Sequence, residues 1–234
     1  MSKMVGMNVV IKQSWFKKVA ELLNENFSEE QNKSIINDYL SFEIDSATNL
    51  RKAREILMRI WFRDSENVES LQKEGRELAI KYPEQILTIS WCMAALVFPA
   101  FGDIARLMGK MYCFQDTITT NQIKQKLFDE WGENGTLQTV VSKIIGTMRE
   151  LGVVKSDRAG SQQIASVEIK NDEIISFMLR VAMKIDNSSY YTISNLASFP
   201  ALFPFRFNLN KEYLMQDDRF SFSMFNAELC IAIK

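Results

Sequence analysis

Seven apolar residues between positions 137 and 151 recur at intervals of three and four: Leu137, Val140, Val141, Ile144, Ile145, Met148 and Leu151. That spacing places them on one face of an α-helix. A stripe of this width has to be covered by other elements, so it commits this part of the chain to a packed helical unit. The opposite face carries Gln138, Thr139, Ser142, Lys143, Thr147 and Arg149, with Glu150 as its only acid. Such side chains can reach base edges or phosphates. Gly152 is placed to end the helix in a left-handed conformation.

The neighbouring segments give the stripe a context. Phe101 to Phe114 predicts an amphipathic helix with Ile104, Leu107, Met108 and Met111 inward. Thr119 and Gln122 form a capping-box pattern that starts a helix through Ile123, Leu127, Phe128 and Trp131. Gly132-Glu133-Asn134-Gly135 then breaks the chain, and Thr136 is positioned to cap the helix that follows. Val153-Val154, a polar turn over Ser156–Gln163, and Val167 alternating with Ile169 predict a β-hairpin. Helices, a short Gly-containing turn and a hairpin in this order predict a winged helix-turn-helix. Lys155 and Arg158 would then sit on the wing. A helical bundle followed by an incidental hairpin is the alternative.

Upstream, helical spacing runs from Trp15 to Asn26, and a second capping box at Ser28 and Gln31 opens a helix through Ile35, Ile36, Tyr39 and Leu40. Asp45 or Ser46 can cap a helix with Leu50, Ala53, Leu57, Ile60 and Trp61 inward. Its other faces carry Arg51, Lys52, Arg54, Arg59 and Arg63, with Glu55 placed to pair with Arg59. Arg51, Arg54 and Arg59 are therefore a second candidate surface for nucleic acid, or simply a solvated helix face. Helices are also predicted over Val68–Lys81 and, after Pro83, over Glu84–Phe98. Downstream, Asn171–Lys184 predicts a helix. Phe203, Phe205, Phe207 and Leu209, then Phe220, Phe222 and Met224, then Leu229, Ile231 and Ile233 predict three short strands. The expected fold is mainly α: a helical domain over 1–98, a winged helix over 99–170 and an α+β extension over 171–234.

Composition narrows the function classes. The 234 residues contain 28 Lys and Arg against 29 Asp and Glu, a formal net charge of -1, so no global field steers a polyanion and any nucleic-acid site is a local patch. No histidine is present, which removes Ser-His-Asp and Cys-His catalysis and the usual zinc sites. Neither a GxxxxGK[ST] nor a GxGxxG phosphate loop occurs. No catalytic residue, metal site or cofactor is expected. The one competing pattern is Asp157 with Glu168-Ile169-Lys170, which is similar to a metal-dependent nuclease signature. Short patterns of this kind arise often by chance, and a solvated wing strand is the preferred reading. Cys92, Cys113 and Cys230 have no ligand-like spacing and read as reduced, mostly buried thiols. The start lacks a signal-peptide pattern, and the apolar run Ile86 to Phe101 falls short of the roughly 20 residues a membrane span needs. A cytoplasmic protein is expected.

Two segments carry a family resemblance: Val19-Ala20-Glu21-Leu22-Leu23, and Asp45-Ser46-Ala47-Thr48-Asn49-Leu50-Arg51-Lys52-Ala53-Arg54. They resemble the N-terminal pattern of BrxA, the small accessory protein of bacteriophage-exclusion (BREX) defence systems. The later order of helices, ending in Glu-Leu-Gly-Val-Val at 150–154, is also similar. Alanine stands at position 47 where the family pattern has proline, and the segment after Asp186 has no counterpart. The resemblance implies a NusB-like helical domain joined to a winged helix, with double-stranded DNA and other defence-system proteins as partners. It implies a non-enzymatic accessory or scaffold role. The alternative role is a protein-interaction module whose winged helix docks a larger defence enzyme without touching DNA.

Overall fold

Ser28 and Gln31 exchange both hydrogen bonds of a capping box, at 3.2 Å and 2.8 Å, and open a helix where the sequence predicts one. The computed structural model describes residues 6–22, 27–63, 65–132, 135–158, 160–186, 188, 190–225 and 228–234. The first four helices are α1 (Gln13–Glu21), α2 (Glu29–Ser41), α3 (Ala47–Trp61) and α4 (Glu69–Lys81). Residues 23–26 of the first expected helix lie outside the described residues. Ser46 accepts from Asn49 N at 3.4 Å and caps α3. Pro83 opens a 3-10 turn that runs into α5 (Ile86–Val97).

Ten of the twelve residues of α5 are buried, so this helix is apolar all round because it is enclosed all round. It packs on α1, α3 and α4. Phe98 leaves the helix with extended backbone, and Pro99 starts α6 (Pro99–Tyr112) at an angle of 114° to the preceding segment. No single helix among the described residues is long and apolar enough to cross a membrane.

After α6 come β1 (Thr117–Thr119), α7 (Thr120–Trp131), α8 (Gly135–Glu150), β2 (Val154–Lys155) and β3 (Ser161–Ile164). The three strands form an antiparallel sheet in the order β1-β3-β2, with Ile118 opposite Gln162 and Val154 opposite Ile164. The chain continues through β4 (Val167–Ile169), α9 (Asp172–Asp186), β5 (Tyr191–Thr192) and α10 (Ile193–Leu196). It ends with β6 (Phe205–Phe207), α11 (Lys211–Gln216), β7 (Phe220–Phe225) and β8 (Glu228–Ile233). The protein is mainly helical with a small sheet portion.

Two expectations are overturned, the hairpin partner of β2 and the Thr136 cap, while the three tail strands form where they are expected. The partner of β2 is β3, inside the segment expected to be a polar turn, and not Val167–Ile169. The latter strand pairs parallel with β6 in a sheet of its own. Polarity hides β3: its one fully buried side chain is Gln162, whose Nε2 donates to Thr120 Oγ1 at 3.3 Å, so no apolar alternation marks it. Thr136 lies inside α8, which begins at Gly135; Glu133 and Asn134 of the expected turn lie outside the described residues. In the tail, β7 and β8 form a hairpin joined by β5, while β6 leaves them for β4.

The C-terminal extension is seated on the helices rather than appended to them. Trp91 of α5 meets Phe101, Phe203 and Phe205 edge-on, at centroid distances of 5.0, 5.6 and 5.8 Å, and its Nε1 donates to Ala201 O at 3.1 Å. Gly109 of α6 lies so close to Pro200 that an added Cβ would come within 1.9 Å of its carbonyl oxygen. Glu74 of α4 accepts from Arg180 of α9 and from Arg219, and Arg219 also binds Asp217. Ser176 donates to the same Asp217. A buried arginine is tolerated only when paired in this way.

Candidate nucleic-acid interface

The α7–α8 pair is held from both ends. Thr119 and Gln122 form the second capping box, at 3.2 and 2.7 Å, and fix the start of α7. Trp131 at its other end donates to Asp103 Oδ2 of α6 at 2.9 Å, and Arg106 bridges Asp103 and Glu130. Against this support α8 buries Leu137, Val140, Val141, Ile144, Ile145 and Met148. Gly152, at φ 75°, ends α8 with the two bonds of a Schellman motif: Gly152 N to Arg149 O at 2.8 Å and Val153 N to Met148 O at 3.3 Å. That turn aims the chain directly into β2.

The outward face of α8 presents Gln138, Thr139, Ser142 and Arg149 as exposed residues, with Lys143 half-buried. Thr139 and Ser142 donate their hydroxyl protons to the carbonyls of Gly135 and Gln138, both at 3.4 Å, which leaves their oxygens as acceptors. Lys155 on β2 and Arg158 in the β2–β3 turn are exposed, and Ser156 Oγ fixes the turn by donating to Arg158 O at 2.9 Å. Among the described residues, Lys143, Arg149, Lys155 and Arg158 make no ion pair, so their charge is available to a ligand.

Thr147 does not belong to this face. It is fully buried and accepts from Ile11 N at 3.0 Å. The reason is an irregular segment over residues 6–12 that sequence reasoning missed. Met7 and Ile11 are completely buried, Val10 rests on Gly146, and Gly6, at φ 63°, lies against the ring of Phe98. Lys12 and Trp15 then anchor the segment by donating to Glu43 Oε2 at 2.8 and 2.9 Å. The Lys12 hydrogen bond, followed by that of Trp15, holds the Glu43 carboxyl below the usual range. The signal for this strap was present: Met7, Val9 and Ile11 alternate. The strap crosses the C-terminal half of α8 and leaves the half from Gly135 to Lys143 open.

The second candidate surface divides. Arg51 is exposed. The Arg54 guanidinium is engaged by Glu55 at 3.0 Å and Asn37 at 3.1 Å, and Glu55 also binds Arg63 at 2.8 Å instead of pairing with Arg59. Arg59 stacks over Phe98 at 5.5 Å, and burial, then the proximity of Arg63, pull its guanidinium below its ordinary value. The acid–lysine pattern is dispersed: Asp157 lies in the β2–β3 turn, whereas Glu168 sits on β4, in another sheet, with Lys170 paired to it at 3.6 Å. Among the described residues no group of three acidic, cysteine or histidine side chains could hold a metal ion. Cys92 and Cys230 are buried and Cys113 is exposed.

Compared with protein-family models, curated proteins and solved structures, the chain matches none.

Proposed function

We propose that this protein binds double-stranded DNA without catalysing a reaction on it, through a winged helix-turn-helix made of α6, β1, α7, α8, β2 and β3. The observation that carries this reading is a juxtaposition: the open half of α8, with Gln138, Thr139, Ser142 and Lys143, continues through the Gly152 turn into a strand pair bearing Lys155 and Arg158. The helix–strand–helix–helix–strand–strand order and the strand order β1-β3-β2 support it. In such a unit the N-terminal half of the second helix of the pair enters the major groove, and the wing reaches the adjacent backbone. Here the N-terminal half is the open one.

The BrxA-like segments extend the proposal to a cytoplasmic accessory or scaffold role in a BREX-type phage-defence system, with a NusB-like helical domain as the platform. The competing role is a docking module for a larger defence enzyme. The near-neutral net charge favours it, since no global field draws a polyanion to the protein. Titration of a fluorescent duplex at several salt concentrations separates the two. DNA binding gives a log K that falls linearly with log salt, by about 0.9 per phosphate contact. Absence of duplex binding at low salt leaves the docking role.

A further inference from the structure

The helical domain carries a cleft of about 510 Å³, lined in part by Gly6, Asn8, Arg51, Lys52, Arg59 and Phe98. Among the described residues four lining side chains are cationic, Arg63 being the fourth, and Glu55 alone is acidic. Arg63 and Glu55 neutralise each other, and Arg63 also binds Glu29 at 2.6 Å. Arg51 and Lys52 make no ion pair among the described residues. Arg51 and Lys52 therefore give the cleft positive charge that no described residue pairs with, in a protein whose overall charge is close to zero. Arginine and lysine beside a shallow, open wall suit the phosphate groups of an extended polyanion better than a small apolar ligand.

The cleft's position is fixed by the strap. Gly6 and Asn8 line the cleft, while Val10 and Ile11 touch Gly146 and Thr147 of α8. Two residues of chain span at most about 7 Å, so the cleft opens close beside the C-terminal half of α8, the end from which the chain turns into the wing. Met7 and Ile11 are fully buried, which anchors the strap in the core between the cleft and α8.

We infer that the α3 cleft is a second phosphate-binding site for the same duplex that the winged unit engages, with residues 6–12 setting the register between them. This rests on the proposed DNA-binding reading, and the test distinguishes the two. The full-length protein is titrated with a fluorescent duplex across a salt series, comparing wild type, Arg51→Ala with Lys52→Ala, and Lys155→Ala with Arg158→Ala. Each pair is expected to weaken binding and to reduce the salt slope by up to about 2, one unit per lost phosphate contact. Stoichiometric titration is expected to give one duplex per chain. If the Arg51/Lys52 pair leaves the slope unchanged while the Lys155/Arg158 pair reduces it, the cleft inference fails and the winged reading stands. If the reverse holds, or if two duplexes bind per chain, the shared-duplex inference is also overturned. If neither pair matters, the winged reading itself fails. Circular dichroism and thermal melting of each variant exclude unfolding as the cause of a loss.

Discussion

The backbone N–H of Ile11 donates to Thr147 Oγ1 at 3.0 Å, across 136 positions of sequence, and both groups are buried. The bond ties the first described segment of the chain to α8 and takes Thr147 out of the face that would meet DNA. Replacing Thr147 with valine keeps the shape and removes the acceptor. The orphaned N–H should cost about 1–3 kcal/mol in urea denaturation. Thr147→Ser keeps the oxygen, so it should lose less, about 0.8 kcal/mol for one buried methyl group. Equal stabilities for wild type and Thr147→Val would mean that this bond does not hold the strap.

Gly109 tests how the C-terminal extension is seated. In an exposed helix, Gly→Ala would gain up to about 1 kcal/mol. Here the added Cβ would lie 1.9 Å from the Pro200 carbonyl oxygen, a clash with backbone that no rotamer relieves. Overpacking of that kind costs about 1–3 kcal/mol or more, so Gly109→Ala should be destabilising on balance. A higher melting temperature for the variant would contradict the close approach of α6 and residues 200–202.

Acid stability should report on Asp217. Burial raises its pKa, but hydrogen bonds from Arg219 and Ser176 outweigh burial and lower it to about 2. A depressed carboxylate contributes stability that is complete above its unfolded value, near 4, and is lost as pH falls through the folded value. Asp217→Asn should therefore remove on the order of 2 kcal/mol at neutral pH and flatten the stability profile between about pH 4 and 2. An unchanged profile would show that Arg219 and Ser176 do not stabilise the charged form.

Much of the helical framework is legible in the sequence because caps and periodicity are local. Ser28/Gln31 and Thr119/Gln122 satisfy backbone donors within one turn, and the α8 stripe needs only the 3.6-residue repeat. The sheets are less legible because pairing is not local. Ser161–Ile164 reads as a turn, yet it is the central strand between β1 and β2, with a glutamine as its buried residue. Val167–Ile169 has the right alternation but finds its partner at Phe205–Phe207, nearly forty positions on. Thr147 looks like a surface residue by helical position, yet it is buried and bonded to the strap, which arrives from the far end of the sequence. Arg54 likewise points outward by periodicity while Glu55 and Asn37 engage it.

The proposed reading of DNA by α8 is tested most directly by charge removal on that helix. Lys143→Ala with Arg149→Ala deletes two cations that pair with nothing among the described residues. Folding stability should stay within about 0.5 kcal/mol of wild type, as for other surface substitutions. Duplex affinity at low salt should fall, and the slope of log K against log salt should shrink by up to about 2. Wild-type affinity and slope in this variant, with binding abolished instead by loss of Arg51 and Arg59, would place the nucleic-acid site on the helical domain and contradict the assignment of α8.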